Sequence, residues 1–174
     1  RRQCRRVYFA WQLVMALIYI SIGSNIERDL HIRAAYLELT ALFGEIGCSQ
    51  VYESEAVGFT GDAFYNLVAQ ANTDLSVADC VAAFKAIEQK YGRPATSPKF
   101  CGKRLDLDLL TYDQLVCKTP VELPRDEITK NAFVLLPLSE LAPEQIHPLT
   151  GLNYQQMWQN YKENQKLWPI DFNW

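Results

Sequence analysis

The sequence predicts a single α+β domain: a ferredoxin-like βαββαβ core with extra C-terminal helices. Three observations predict it. Short strand-like runs occur at 17–22, 46–57, 63–71 and 104–112, the first rich in β-branched and aromatic residues. Two amphipathic stretches, 29–43 and 76–91, interleave with them in the order β-α-β-β-α-β. Two more helical segments, 131–141 and 152–161, follow the last strand. At 174 residues, 49% hydrophobic and 21% charged, the chain has the size and composition of one folded domain.

Taken in order, Leu17–Ile22 (LIYISI) reads as a buried strand closed by a tight turn at Gly23-Ser24-Asn25. Asp29 is the expected N-cap of the first helix, with Leu30, Ala34, Leu37, Ala41 and Leu42 at helical spacing and Gly44 as its stop. Ile46–Val57 and Ala63–Ala71 read as strands joined through Phe59–Asp62. Ser76 opens the second helix, which sets Val77, Cys80, Val81, Phe84 and Ile87 on one face, and Asp79 stands where a capping box usually has Glu or Gln. Gly92 ends that helix. A basic loop (93–103, RPATSPKFCGK) leads into the strand RLDLDLLTY, residues 104–112.

The first fourteen residues, RRQCRRVYFAWQLV, hold four Arg and no acid. They read as a leader or an appendage outside the fold, the single domain then being 15–174 and opening at Met15; a membrane or export segment is the other reading. Without them the net charge is −7, which excludes nonspecific nucleic-acid binding. Five cysteines with no CxxC predict small buried side chains in a reducing cytoplasm. His31 and His147 form no HxxxH or HExxH pair, which argues against a His-based zinc site. A monomer without membrane attachment is expected.

The chemistry concentrates in Arg104-Leu105-Asp106-Leu107-Asp108-Leu109. A strand alternates its side chains, so Asp106 and Asp108 share one face and the leucines the other. Paired carboxylates repel unless a cation lies between them, so replacing either by Asn is expected to relieve a repulsion. One reading is a strand face that simply meets water. The other is a Mg²⁺ site completed by phosphate oxygens. The preceding loop favours the second, since Arg93, Lys99, Lys103 and Arg104 stand between Gly92 and the acids, as a phosphate-gripping loop requires. No GxxxxGK[ST] is present, so a P-loop is excluded.

Over residues 17–161 the chain resembles the 6-hydroxymethyl-7,8-dihydropterin pyrophosphokinases of folate biosynthesis. The resemblance rests on YISIGSN (19–25), FYNLV (64–68), IEQKYGR (87–93), RLDLDLLTY (104–112), Leu123-Pro124 and NAFVLLPLSELAP (131–143). It implies a transferase that moves pyrophosphate from ATP to a pterin alcohol, with two Mg²⁺ ions on Asp106 and Asp108. It further implies that Phe64 and Phe133 sandwich the pterin ring, that Asn66 bonds its polar edge, and that Ser54 and Val57 add backbone contacts. Glu88, Arg93, Lys99, Lys103, Arg125 and Lys130 would serve the nucleotide, with Arg93 and Lys103 stabilising charge in the transfer.

The nucleotide half departs from the family. Phe100-Cys101-Gly102-Lys103 stands where Trp-Gly-Pro-Arg is usual, which exchanges a planar guanidinium for a point charge. Ala95 replaces a second basic residue. Arg125 follows Leu123-Pro124 in place of His, and Asn131 stands where an Arg precedes the Phe. Pro120 and Glu122 fall where basic or hydroxyl contacts to ATP are common. These changes leave an alternative of another class: a weak or inactive paralogue that binds a pterin as an interaction module.

Overall fold

The structure, a computed structural model, describes residues 14–55, 61–92 and 104–174. The expectations for Val57, Arg93, Lys99, Lys103 and residues 1–13 lie outside that range. Along the chain run β1 (Ala16–Ser24), α1 (Arg28–Phe43), β2 (Gly47–Cys48), β3 (Tyr52–Ser54), β4 (Phe64–Thr73), α2 (Val77–Lys90) and β5 (Asp106–Tyr112). There follow α3 (Glu127–Lys130), α4 (Ala132–Leu141), α5 (Tyr154–Asn160) and β6 (Leu167–Pro169). The strands form one antiparallel sheet ordered β5-β1-β4-β3-β6, with β2 also on β4. Counting β2 and β3 as one interrupted strand, this is the ferredoxin-like arrangement that the element order predicts.

Strand alternation sends the sheet's side chains to two apolar layers. Ile18, Ile20, Ile22, Leu67, Ala69, Leu107 and Leu109 pack against α1 and α2. Tyr19, Val68 and Leu110 pack against α3, α4 and α5. Leu110 lies in the second layer by the same strict alternation that sets Asp106 and Asp108 opposite Leu107 and Leu109, and the β1–β5 register shift between Tyr19 and Ile20 falls at this point of β5.

The strand expected at 46–57 is split by Ser49. Its hydroxyl accepts from the Val68 amide at 3.0 Å while its own amide donates to the Val68 carbonyl at 2.9 Å, so a side chain takes one place in the ladder. Ser76 caps α2 as expected, accepting from the Asp79 amide at 3.2 Å. In α1 the expectation fails in two details. Glu27 holds the cap position with φ 45°, and Asp29 lies inside the first turn, where a negative charge suits the helix dipole. The buried stripe is Ile32, Ala35 and Leu39, while Leu30 and Leu37 face outward at 54% and 67% exposure. Both stripes of α1 are apolar, and the sheet takes the one bearing Ile32, Ala35 and Leu39.

Candidate active site

Asp106 and Asp108 lie on the face of β5 opposite Leu107 and Leu109, as alternation requires, and both are half-buried. In register, Asp106 pairs with Gly23 on β1, Gly23 with Asn66 on β4, and Asn66 with Tyr52 on β3. Residues paired across strands share a face, so this row runs straight from the carboxylates to the amide of Asn66. With about 4.8 Å between strands, Asp106 and Asn66 stand about 10 Å apart at their backbones. Between them Gly23 contributes no side chain. A Cβ there would meet Asn66 Oδ1 at 3.1 Å and Phe64 Cδ1 at 3.9 Å. Gly23 has no positive φ, so the glycine is required by space rather than by backbone conformation.

A cleft of about 470 Å³ opens on the outer side of β5. Phe84, Glu88, Asp108, Pro120 and Arg125 line it, among others, so it lies between α2 and the segment leading to α3. Arg125 Nη2 stands 3.3 Å from both Asp108 Oδ1 and Glu127 Oε1. Burial works against its charge, but Asp108, Glu127 and Asp106 outweigh burial and hold the guanidinium above its ordinary value. Its Nε is buried with no hydrogen-bond partner among the described residues. The acids therefore carry the compensating cation that their spacing calls for. Glu88 is buried and accepts from the Leu107 amide at 2.9 Å, so its carboxylate fixes the strand that carries the acids. Lys130 is 68% exposed at its side chain and pairs with Asp126 at 2.6 Å, one helical turn away.

A second cavity, about 310 Å³, lies over β3 and the start of α4, lined by Ser54, Glu55, Phe133 and residues 164–167. The Asn66 amide donates to Ser54 Oγ at 2.7 Å, which leaves Asn66 Oδ1 as an acceptor directed over Gly23. Ser54 pairs with Phe64, so both sit on the same face as Asn66. The Tyr52 hydroxyl bonds the Glu140 carboxylate, joining this part of the sheet to α4. Burial, then Glu140, raises the Tyr52 phenol far above its ordinary range and keeps it a donor. Of the residues expected to meet a pterin, the structure thus gathers Ser54, Phe64, Asn66 and Phe133 over one face of the sheet. Gly23 escaped sequence reading because GSN is also an ordinary turn signal.

A family model for 7,8-dihydro-6-hydroxymethylpterin-pyrophosphokinase (HPPK) matches residues 19–143. The chain belongs to the HPPK family. A curated HPPK relative from Aquifex aeolicus, named 2-amino-4-hydroxy-6-hydroxymethyldihydropteridine pyrophosphokinase, is 31% identical over 159 residues, covering 90% of this chain and 96% of the relative. The folic acid synthesis protein FOL1 of Dictyostelium discoideum is 32% identical over 145 residues, covering 81% of this chain, which spans only 22% of that longer protein. Among solved structures, Plasmodium falciparum HPPK-DHPS with pteroate shares the fold at a TM-score of 0.67 and 14% identity, over 85% of this chain and 42% of that one. Nothing in these comparisons favours the binding-module alternative. No helix among the described residues is long and apolar enough to cross a membrane.

Proposed function

We propose that this chain, as an HPPK-family transferase, moves the pyrophosphoryl group of ATP to the hydroxymethyl oxygen of 6-hydroxymethyl-7,8-dihydropterin and releases AMP. The observation that carries the reading is the row Asp106–Gly23–Asn66, which sets the paired acids, with Asp108 on the cleft wall, on the same sheet face as Asn66, whose partner Ser54 lines the second cavity. Both cavities have the volume of small-molecule sites. The nucleotide belongs in the first and the pterin in the second, with the reacting atoms meeting over Gly23.

In this scheme Phe64 and Phe133 offer ring faces to the flat pterin, which gains stacking and loses water. Asn66 and Ser54 orient its polar edge, while Val57 supplies a backbone contact. Asp106 and Asp108 suit Mg²⁺: they are hard oxygen donors, half-exposed, and too few to fill its shell without substrate phosphates. Among the described residues, no cluster of three or more His, Cys, Asp and Glu side chains competes for that role. Mg²⁺ bound there, two ions per site, supplies charge neutralisation at the phosphate oxygens. Arg125 lies on the cleft wall where it can exchange Asp108 for a phosphate, with Arg93, Lys99, Lys103 and Lys130 as the other cations for the nucleotide. Bond formation from the pterin oxygen to the β-phosphorus accompanies cleavage of the bond from that phosphorus to the oxygen leaving with AMP. Such a transfer needs alignment and charge stabilisation, and no side-chain nucleophile.

The decisive assay is AMP release from ATP, Mg²⁺ and 6-hydroxymethyl-7,8-dihydropterin. Release that is stoichiometric with pterin diphosphate, and lost in Asp106→Asn, is the expected result. Pterin binding with background AMP release in the wild type would overturn the reading in favour of a binding module. The same reading carries a monomeric cytoplasmic protein, and a dimer by sedimentation would correct it.

A further inference from the structure

The chain after α5 returns to the pterin-side cavity and supplies part of it. Residues 164–167 line the cavity together with Ser54 and Phe133, and β6 continues from them as the neighbour of β3, with Leu167 opposite Ser54. The same stretch also grips the helix that bears Phe133. The first amide of α4, on Ala132, is one of the donors that a helix cannot satisfy internally. Its N-cap, Asn131, makes no side-chain cap bond. Gln165 Oε1 takes that role from 33 residues away, accepting from the Ala132 amide at 2.8 Å. Gln165 Nε2 donates to the Lys130 carbonyl at 3.2 Å, and the Tyr161 hydroxyl donates to the same carbonyl at 2.7 Å. Three hydrogen bonds therefore fasten residues 161–165 to the link between α3 and α4, immediately before Phe133.

We propose that residues 164–167 form the outer wall of the pterin subsite and that Gln165 is a positioning residue, setting the angle of the Phe133 ring by capping α4 from outside the helix. The inference rests on the pterin reading of that cavity. Its physical content is preorganisation. An aromatic face contributes most when its ring is already held at stacking distance, and the first turn of a helix with an unsatisfied amide frays readily. The bidentate side-chain amide suits the task, because one end accepts from Ala132 and the other donates to Lys130. Neither Ala nor a hydrophobic residue of similar length offers both.

Gln165→Ala is expected to raise the KM for the pterin about tenfold while the KM for ATP stays within about twofold. Calorimetry should show the same loss in pterin affinity, and the thermal midpoint should move little. Gln165→Glu keeps the acceptor for Ala132 but loses the donor to the Lys130 carbonyl, and should recover part of the affinity, a rescue that a merely structural role would not produce. If Gln165→Ala fails to fold, Tyr161→Phe carries the test, with an expected rise of about threefold in pterin KM alone. Unchanged pterin affinity in the folded variant, with Phe133→Ala strongly impaired, overturns the inference and leaves the pterin reading standing. Equal pterin affinity in the wild type and Phe133→Ala overturns both together.

Discussion

The space above Gly23 is where substrate reach is decided, and Gly23→Ala measures it. The new methyl would lie 3.1 Å from Asn66 Oδ1, closer than carbon and oxygen normally pack. The amide has little freedom to yield, since Asn66 is only 7% exposed and its Nδ2 is held by Ser54 Oγ at 2.7 Å. A shift of a few tenths of an ångström weakens that bond or turns Oδ1 from the cavity. Leaving one buried polar group poorly satisfied costs about 1–3 kcal/mol, which is roughly 5- to 150-fold in a dissociation constant. Folding stability should change much less. Gly23 has an ordinary φ, so alanine regains about 0.4–1 kcal/mol from a less flexible unfolded chain. The expected signature is a pterin affinity at least about fivefold weaker, by calorimetry, with the thermal midpoint within about 4 °C of wild type. Pterin affinity within experimental error of wild type would refute the argument that Asn66 Oδ1 orients the ligand across this gap.

Asp108→Asn should weaken Mg²⁺-dependent ATP binding at least about tenfold and lower stability by about 1 kcal/mol, because it removes one partner of the partly buried Arg125. That sign reverses the expectation of relieved repulsion, and a thermal midpoint that rises without metal would restore it. His147 is expected to govern part of the acid sensitivity. Burial depresses its pKa below that of an ordinary imidazole, and its Nδ1 accepts from the Leu149 and Thr150 amides, which requires the neutral ring. Below about pH 6.5 the unfolded chain binds a proton that the folded chain resists, so stability falls with acidification there. His147→Gln should flatten the slope of thermal midpoint against pH between about 5 and 7, and an unaltered slope would assign it to other groups.

The elements legible in the sequence were those whose pattern survives into the fold. In β1, β4 and β5, apolar alternation fills a layer shared with α1 and α2, and in α2 one apolar stripe with a serine cap leaves a single way to pack. Where two patterns compete, the sequence alone does not choose: α1 has two apolar stripes and buries the one bearing Ile32, Ala35 and Leu39. The single turn of α3 and the three residues of β6 are too short for any period to register, and Pro169 argues locally against a strand. Within the candidate site, Asp106 and Asp108 stood out because two like charges at alternate positions of an apolar strand demand a cause. Asn66, Phe64 and Phe133 carry no such local signal and entered only through the family resemblance. Gln165 was invisible for a different reason. Its role depends on a contact 33 residues distant, in a polar stretch without rhythm.

The placement of Glu88 has a consequence for how copies of this chain behave in a crowded solution. A sheet's outermost strand ordinarily presents unpaired amides that can recruit a strand from another molecule. Here the Leu107 amide on the outer strand β5 is already taken by the Glu88 carboxylate, and the Leu110 carbonyl is taken by the Arg125 amide at 2.9 Å. At the opposite margin, β6 is three residues long and ends in Pro169, which has no amide hydrogen to offer. Each margin thereby offers fewer groups for intermolecular strand pairing, and on β5 the residues responsible, Glu88 and Arg125, also border the nucleotide-side cleft. A substitution at Glu88 would accordingly do more than disturb a carboxylate near the nucleotide cleft: it would free an outward-facing amide on the edge strand for pairing with another molecule.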